Sequence, residues 1–465
     1  MSPAFLKRRS PFVRTIAVLA SVALVASQAA LAGVTQHSIR AEKADIVAQP
    51  ATTARFGCEL RSFTSTRLTC YGPEAIRKAY GLDSLIAAGM TGAGQTIVII
   101  DAFGSPTLAS DLSAFDSVFG LPPPPSLQQI HMPGSTPFNY ADNNQLGWAE
   151  ETSLDVQWAH AIAPGANIIV VAAVDNSDQA ILDAQNYAIT NKLGYIISES
   201  FGESELALLQ SGKTGKKILK DNEDSYKKAK AGKISVLVSA GDDGASGTDV
   251  NGTFLTVPVA NYPASSPNVT TVGGTNLFFG TPANADPNGS YQGEVVWNDG
   301  FGAGGGGISM AFEIPDYQDE NIPKAAQKAL KENRGYPDVA YNAGVRGGVI
   351  VFLGFLDTAF GPGNNGFYIF GGTSAGAPQW AGVTAIANQI AGKPLGFLNT
   401  RIYSLGKRGL LGTLMHDVTV GNNSLNGVTG FSATPSWDLA TGWGTPNTGF
   451  VKALATQTSD EGGDD

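Results

Sequence analysis

The chain is poor in cysteine, histidine and charged residues. Its 465 residues include two cysteines and four histidines, and charged residues make up 15% of the composition, against a usual share near ~25%. Two cysteines exclude a disulfide-rich scaffold and a four-thiolate zinc site. The net charge of −10 argues against a nucleic-acid partner, because such a partner is held by a basic surface.

Long hydrophobic runs are also scarce. The apolar run at residues 16–25 is shorter than the ~20 residues that a membrane span needs, and no later stretch is apolar enough. Basic residues precede this run, and Ala30-Leu31-Ala32 supplies small residues where a signal peptidase acts. We therefore expect a signal peptide over residues 1–32, secretion to an extracellular or periplasmic space, and no stable membrane insertion. A membrane anchor is the alternative.

What the chain does contain is typical of a globular α/β protein. Hydrophobic residues make up 43% of it and there are 57 glycines without a fixed period, which excludes disordered and collagen-like chains. Continuous β-branched runs separated by helical stretches indicate a mainly parallel central sheet with helices on both faces. The predicted strands are residues 95–101, 168–173, 194–198 and 234–239.

The organisation along the chain follows from composition. Residues 33–70 are polar and are interpreted as a short pro-segment or linker, in which export would permit a disulfide between Cys58 and Cys70, two free thiols being the alternative. Residues 71–455 form the main domain, and residues 456–465 an acidic disordered tail. We expect a monomer.

Two further segments have biased composition. Residues 213–233 hold eight lysines and are interpreted as a solvated helix with its flanks. The glycine-dense residues 302–307 allow close backbone approach to another group such as a bound peptide, or form a flexible surface loop.

Ser374 is the first candidate for chemistry. Small residues surround it, and an apolar helical run begins just after it. A serine at a helix N-terminus meets free N–H groups and the positive end of the helix dipole, which suits a nucleophile that generates an oxyanion. Simple helix capping is the alternative.

Glu151 and Asp155 are the second candidate, because four residues separate them and they share a helix face. If that face is buried, the two carboxyls can share a proton and one pKa rises, giving a general base suited to acid pH. Two solvated carboxylates are the alternative.

The third candidate, Asp242, follows a strand end, where open α/β sheets place ligands. Kept protonated, it could donate to an oxyanion. A turn aspartate is the alternative.

A histidine base is harder to find. His37, His131, His160 and His416 are the four histidines, and none lies in a glycine-flanked motif. His160 is interpreted as a solvated or core histidine. A hydrolase with an Asp/His/Ser triad would require Asp101 and His160 near Ser374.

Three ordered motifs resemble those of the sedolisins, the serine-carboxyl peptidases. The family pattern is Glu-x-x-x-Asp, Ser-x-Gly-Asp-x-Gly and Gly-Thr-Ser-x-x-x-Pro. It is matched here by Glu151 with Asp155, by residues 239–244 and by residues 372–378. Further similar segments extend the resemblance over roughly residues 71–455.

The resemblance implies a subtilisin-like fold and a secreted peptidase active at acid pH. Ser374 would be the nucleophile, Glu151 its general base and acid, Asp155 the group that orients Glu151, and Asp242 the oxyanion stabiliser. Cleavage within a peptide chain is expected, with tripeptidyl-peptidase cleavage possible, and a catalytically silent peptide-binding homologue is the rival function. The family usually carries a long folded prodomain, whereas only residues 33–70 are available for one here.

The resemblance also implies one structural calcium ion. Two segments near the C-terminus are similar to the family's calcium-binding segments, and calcium prefers such all-oxygen ligand sets. The implied ligands are carboxylates and main-chain carbonyls, with serine and threonine where the family typically has glycine. They are Asp417, Val418, Thr434, Ser436 and Asp438.

Overall fold

The structure is a computed structural model. It describes residues 33–46, 55–61, 65–279, 291–409 and 411–457. The predicted signal peptide and most of the acidic tail lie outside these residues.

The strands are numbered in chain order. They are β1 (Thr35–Gln36), β2 (Ile39–Lys43), β3 (Cys70–Tyr71), β4 (Thr96–Ala102), β5 (Leu127–His131), β6 (Asn167–Ala173), β7 (Ile196–Glu199), β8 (Phe201–Ser204), β9 (Ser235–Ser239), β10 (Asn261–Tyr262), β11 (Thr270–Phe279), β12 (Tyr291–Val296), β13 (Gly307–Glu313), β14 (Asn333–Tyr336), β15 (Val339–Asn342), β16 (Gly348–Leu353), β17 (Gly366–Gly371), β18 (Met415–His416) and β19 (Thr445–Pro446).

The helices are numbered in the same way. They are α1 (Pro73–Ala79), α2 (Leu82–Ala87), α3 (Leu108–Phe119), α4 (Asn143–Ile162), α5 (Asp178–Thr190), α6 (Glu205–Gln210), α7 (Lys213–Ala231), α8 (Asp316–Asp319), α9 (Lys324–Leu330), α10 (Leu356–Phe360), α11 (Gly376–Ala391), α12 (Asn399–Lys407), α13 (Leu411–Leu414) and α14 (Thr448–Thr456).

A central sheet of eight strands organises the fold. Its order is β12-β11-β9-β7-β4-β6-β5, with β15 also paired to β11. Among the residues that the structure describes, the β11–β12 pair of this sheet is antiparallel and its other pairs are parallel. The four strands predicted from the sequence are β4, β6, β7 and β9, and they lie side by side. The predicted mainly parallel sheet is confirmed.

Both faces of this sheet are covered. On β4, Ile97 and Ile99 face one hydrophobic core, which also contains side chains of α4 and α11. Val98 and Ile100 face the other, which contains side chains of α5 and α7. Burial on both sides explains why β4 is a continuous apolar run without polar alternation. The lysine-rich residues form α7, as predicted.

The parallel arrangement brings the carboxyl ends of several strands to one edge of the sheet. Asp101 on β4 is beside Ala172 on β6, and Ile100 is beside Glu199 on β7. Glu199 in turn is beside Val238 on β9. Residues that follow these strand ends therefore share one edge, which is where a parallel sheet builds its ligand site.

The segment interpreted as a pro-segment or linker is partly built into the fold. Cys58 and Cys70 form a disulfide with their Cα atoms 5.2 Å apart. Strand β2 joins a four-stranded sheet in the order β2-β17-β16-β3, and β1 pairs with β8. The described part of residues 33–46 thus lies against the elements that carry the candidate residues.

Candidate active site

The structure brings the four candidate residues together. Helix α4 carries Glu151 and Asp155, and the loop after β9 carries Asp242. Strand β17 leads into the turn that holds Ser374, just before α11. Glu151, Asp155 and Ser374 are fully buried, and Asp242 is partly exposed although its Oδ2 is buried.

Glu151 lies among hydroxyl and carboxyl groups. It interacts with the hydroxyls of Ser374 and Ser38 and with Asp155, although among the described residues neither of its carboxyl oxygens has a partner in ordinary hydrogen-bond geometry. The hydroxyl of Ser374 donates instead to the Ser200 carbonyl, at 3.2 Å. Serine and glutamate are therefore adjacent but not yet aligned for proton transfer, as is common before a reaction begins.

Asp155 and Asp101 extend this acidic cluster. Asp155 Oδ1 accepts a hydrogen bond from Ser200 Oγ at 3.0 Å. Burial raises the pKa of Glu151, and it raises the pKa of Asp155 and Asp101 further, since each also lies near the charge of Glu151. Three carboxyls at such spacing cannot all ionise, so at least one proton is shared among them.

Asp242 is held by Thr373. Its Oδ1 accepts hydrogen bonds from Thr373 N at 2.8 Å and from Thr373 Oγ1 at 2.9 Å. Burial raises its pKa well above the usual range, against the effect of these two donors, and the charges of Glu151 and Asp243 raise it further. Oδ2 has no hydrogen-bond partner in the described part of the chain. A neutral carboxyl with one free oxygen can act as a hydrogen-bond donor.

The glycine-dense residues 302–307 have a role that the sequence did not disclose. They are buried, which corrects the surface-loop alternative, and they contact the protein's own main chain. Ala303 N donates to Asp242 O at 2.9 Å, and Gly305 N donates to Gly241 O at 2.7 Å. A Cβ on Gly305 would collide with the Ala240 carbonyl. Glycine is therefore needed at position 305, because the loop lies too close to the main chain for a side chain. Its hydrogen bonds fix the main chain around Asp242.

An extended segment from the N-terminal region crosses the same site. Strand β1 pairs antiparallel with β8, and β2 pairs antiparallel with β17, so that Ile39 is beside Gly371. Between them, the His37 carbonyl accepts a hydrogen bond from Ser374 N at 2.9 Å, and His37 N donates to the Ser200 carbonyl at 3.1 Å. The main chain at His37 and Ser38 therefore passes directly over Ser374.

The histidines lie differently from what a histidine-based triad requires. His160 is buried, and its Nε2 lies 2.8 Å from the Pro122 carbonyl and 3.3 Å from Asp116. Of the two predicted alternatives, a solvated or a core histidine, it is the core one. The histidine at the site is His37, which belongs to the crossing segment, and no local sequence signal singled it out.

The predicted calcium ligands lie in two loops, one with Asp417 and one with residues 434–438, and a hydrogen bond from Ser436 to Asp417 joins them. Asp438 Oδ2 accepts from Thr434 N, and Asp417 Oδ2 accepts from Ser436 N, both at 2.9 Å. Ser436 has φ of 73°, a left-handed conformation that explains why glycine would suit this position. Among the described residues, no three His, Cys, Asp or Glu side chains form a group that could hold a metal ion.

Comparisons with known proteins show the family and the fold. The model of the subtilase family matches residues 136–432. Kumamolisin from Bacillus sp. (strain MN-32) is 34% identical over 385 residues, which are 81% of this chain and 62% of the relative. Sedolisin from Pseudomonas sp. (strain 101) is 30% identical over 367 residues, which are 76% of this chain and 56% of the relative.

The chain belongs to the sedolisin family. A solved structure of Pseudomonas sedolisin, described as a serine-carboxyl proteinase complexed with two molecules of pseudo-iodotyrostatin, matches with a TM-score of 0.67 and 26% identity, covering 84% of this chain and 98% of that chain. The fold is therefore subtilisin-like, as the resemblance implied. Other relatives are named tripeptidyl-peptidases. The chain spans 62% and 56% of the two sedolisin-family relatives' own lengths.

The buried carboxyls of this sedolisin-family chain predict an unusual dependence of stability on pH. Because burial raises the pKa values of Asp101, Glu151, Asp155 and Asp242, the folded state binds more protons than the unfolded state once pH exceeds about 4. The free energy of unfolding should therefore fall as pH rises, by up to about 1.4 kcal/mol per pH unit for each retained proton.

Calorimetric melting of the Ser374→Ala protein between pH 4 and pH 8 measures this effect. The midpoint should decline across that range, and Asp155→Asn should make the decline shallower. The matched control Asp83→Asn, at an exposed position, should leave it unchanged. A midpoint that rises from pH 4 to pH 8 would contradict the assignment of protons to this cluster.

Proposed function

We propose that the protein is a secreted serine-carboxyl endopeptidase that hydrolyses peptide bonds at acidic pH through an acyl-enzyme on Ser374. One observation carries this proposal. A main-chain carbonyl, that of His37, receives the Ser374 N–H at 2.9 Å, while the carboxyls of Glu151 and Asp242 lie against the same turn. The nucleophile, the base and the oxyanion donors of the proposed mechanism therefore surround one peptide group.

The reaction begins with Ser374. Its Oγ attacks the carbonyl carbon of a bound peptide while Glu151 accepts the hydroxyl proton, as a general base must lie within reach of the proton it removes. Asp155 orients Glu151 and shares the proton with it, in the role that the third group of a catalytic triad fills. Glu151 then donates the proton to the leaving amine, and water hydrolyses the acyl-enzyme by the reverse sequence.

The developing oxyanion is stabilised by two donors. One is the Ser374 N–H and the other is the protonated carboxyl of Asp242, whose Oδ2 is free of other partners among the described residues. Preorganised donors of this kind are commonly worth a few kcal/mol in the transition state. Thr373 and the glycine-dense loop position Asp242, so they act through it and not on the substrate.

The cleft supports cleavage inside a chain in preference to removal of tripeptides. The crossing segment continues on both sides of Ser374, from Gly33 and Val34 on one side to Lys43 on the other. Val34 N donates to the Asn176 carbonyl at 3.0 Å, so the cleft binds a fourth residue before the reacting carbonyl. An enzyme limited to tripeptides would close the cleft before that position.

Two rival functions are weighed against this one. A silent peptide-binding homologue has no chemical need for Glu151, Asp155, Asp242 and Ser374 together, and incubation with a denatured protein at about pH 4 separates the two. A hydrolase with an Asp/His/Ser triad would use His160, which is engaged with Pro122 and Asp116 instead.

The remaining proposals concern the protein as a whole. We propose export by a signal peptide over residues 1–32, a pro-segment or linker over residues 33–70 and a peptidase domain over residues 71–455. We propose protein or peptide substrates and a monomeric enzyme. None of the helices in the described part of the chain has the length and hydropathy to cross a membrane.

One structural calcium ion belongs to the same proposal. The two carboxylates, Asp417 and Asp438, bind the same short loop through Thr434 and Ser436, so both lie beside the main chain that would supply carbonyl ligands. This placement fits the oxygen-rich set that calcium prefers, with Val418 and water completing it. The ion would join two loops of the fold and would take no part in the chemical steps.

The protonation of Asp242 sets how catalysis depends on pH. Because Asp242 acts in its protonated form and its pKa is raised, kcat/KM should fall as pH rises through that pKa. Asp242→Asn keeps an uncharged donor and should flatten this alkaline decline while lowering the rate. Asp242→Ala should lower the rate by about a hundredfold or more. A wild-type rate that keeps rising through pH 7 would contradict the proposal.

Substitution of Glu151 and of His160 separates the two possible bases. Glu151→Gln should lower kcat/KM by about a thousandfold or more, because the proton acceptor is lost. His160→Ala should keep the rate per folded molecule within about threefold while lowering the melting temperature, because a buried hydrogen-bonded group is removed. Peptide hydrolysis at about pH 4 measures both, and loss of the rate in His160→Ala alone would favour the rival triad.

Calcium should stabilise the folded protein. Excess Ca²⁺ should raise the thermal midpoint relative to a chelator, because the ion binds only the folded state. Asp417→Asn should remove most of this difference, and the matched control Asp83→Asn should retain it. Identical midpoints with and without calcium would refute the site.

A further inference from the structure

Ser200 contacts both the candidate nucleophile and the acidic pair of α4. It follows β7 directly and is fully buried. Its main-chain carbonyl accepts the hydroxyl of Ser374 at 3.2 Å, and its own hydroxyl donates to Asp155 Oδ1 at 3.0 Å. One residue therefore touches the nucleophile through its main chain and the partner of the base through its side chain.

The hydrogen bond from Ser200 makes the two oxygens of Asp155 different. Oδ1 accepts from Ser200, whereas Oδ2 is buried and has no hydrogen-bond partner within the described ranges. In a neutral carboxyl group one oxygen carries the proton and donates, and the other is a carbonyl oxygen that accepts. Because Ser200 donates to Oδ1, the proton of a neutral Asp155 belongs on Oδ2.

Glu151 is the group that can accept a hydrogen bond from this proton. Asp155 and Glu151 lie one turn apart on α4, and their carboxyl groups interact. Burial, together with the charges of Glu151 and Asp101, raises the pKa of Asp155 well above its usual range, so Asp155 holds the proton of the pair. A neutral Asp155 that donates to Glu151 stabilises the ionised form of Glu151, which is the form that acts as a base.

We propose that Ser200 is a positioning residue for the general base, because its hydroxyl fixes the proton of Asp155 on the oxygen that is left for Glu151. The inference rests on the proposed function, since it uses the same nucleophile and base. It goes beyond that function in naming the group that decides where the shared proton lies before the reaction begins.

The proton transfers balance without a further group. Before the attack Asp155 is neutral and Glu151 is ionised. When Ser374 Oγ bonds to the carbonyl carbon of the substrate, its proton passes to Glu151, and both carboxyls are then neutral. Glu151 gives a proton to the departing amine and is ionised again. Asp155 enters and leaves this cycle as a neutral acid, with Ser200 donating to its Oδ1.

Other charged groups surround the pair, but they do not replace Ser200. They are Asp101 on β4, Glu150 on α4 with its ion-pair partner Arg40, and Asp242 after β9. A neighbouring carboxylate disfavours a second negative charge, but it has no proton with which to orient another carboxyl. Within the described part of the chain, Ser200 is the hydroxyl that donates to Asp155.

The pH profile of Ser200→Ala tests the proposal. Without this donor the proton of Asp155 can sit on either oxygen, so Glu151 loses an oriented hydrogen bond and its pKa rises. The acid limb of kcat/KM should move upward by about half to one pH unit, and the maximal kcat/KM should fall by about three- to tenfold, which is what one hydrogen bond contributes. Initial rates on a dilute, fluorescently labelled denatured protein between about pH 2 and pH 8 measure both.

Ser198 provides a matched control. It is a buried serine of β7, two residues before Ser200, and its hydroxyl has no hydrogen-bond partner among the described residues. Ser198→Ala removes one buried hydroxyl from the same strand and should leave the acid limb in place. Ser200→Cys, which substitutes a weak donor, should lie between wild type and Ser200→Ala. An acid limb that stays fixed in Ser200→Ala, or moves equally in Ser198→Ala, would overturn the proposal.

A double-variant cycle shows whether Ser200 acts through Asp155. Asp155→Ala leaves no carboxyl to orient, so adding Ser200→Ala should not lower its residual rate further. Coupling of this kind is what distinguishes residues that work through one another from independent ones. If the two losses simply multiply, Ser200 does not act through Asp155 and the positioning role is refuted.

Infrared spectroscopy of an inactive protein separates failure of this inference from failure of the proposed function. The spectrum of Ser374→Ala at about pH 4, minus that of Ser374→Ala/Asp155→Asn, isolates the carbonyl stretch of Asp155. Adding Ser200→Ala should move this band to higher frequency, because Oδ1 loses its donor. If wild type hydrolyses the denatured protein but neither the band nor the acid limb moves, the inference is overturned and the proposed function stands. If wild type hydrolyses nothing at any pH, the proposed function is overturned and the positioning role falls with it, even where the band moves.

Discussion

The site depends on the burial of carboxyl groups around one serine. The carboxyls of Asp101, Glu151 and Asp155 are fully buried, and Asp242 is partly exposed but has its Oδ2 buried. In water, aspartate and glutamate are largely ionised above about pH 4. Burial raises the pKa of Asp242 in particular, and the neutral form becomes a donor where an aspartate would otherwise repel an oxyanion. The same burial forces the carboxyls of α4 to share protons, which makes one of them an acceptor at acid pH. In the mechanism that we propose, the nucleophile, the base and the oxyanion donor all depend on this burial.

The fold buries these carboxyl groups through a few identifiable contacts. Parallel strands bring β4, β7 and β9 to a common edge, and α4 and α11 pack against the same face of the sheet. Thr373 connects Asp242 to the turn of Ser374, and the glycine-dense loop fixes the main chain around Asp242 through two hydrogen bonds. The crossing segment then covers the cleft and completes the burial of the carboxyls beneath it.

Much of this could be predicted from the sequence, because the signals were local. Four central strands were recognisable from β-branched runs, and their observed ends lie within two residues of the predicted ones. Spacing and motif order singled out Glu151 with Asp155, Asp242 and Ser374, and the structure brings these residues together. The parts that were missed depend on contacts between distant residues. His37 contacts Ser239 across 202 positions. Ser200 contacts Asp155 and Ser374 only because the fold brings the ends of β7 and β17 together. Asp101 did carry a signal, since it ends a central strand at the ligand edge, but its interaction with Glu151 required the fold.

The central claim is that Asp242 remains a neutral acid at the pH where the site works. Infrared difference spectroscopy of Ser374→Ala against the double variant Ser374→Ala/Asp242→Asn isolates the carbonyl stretch of this one carboxyl group. A protonated-acid band that persists above pH 5 and disappears only at higher pH is the expected result, because burial holds the pKa of Asp242 well above its usual range. A carboxylate band at every pH above 4 would contradict the account.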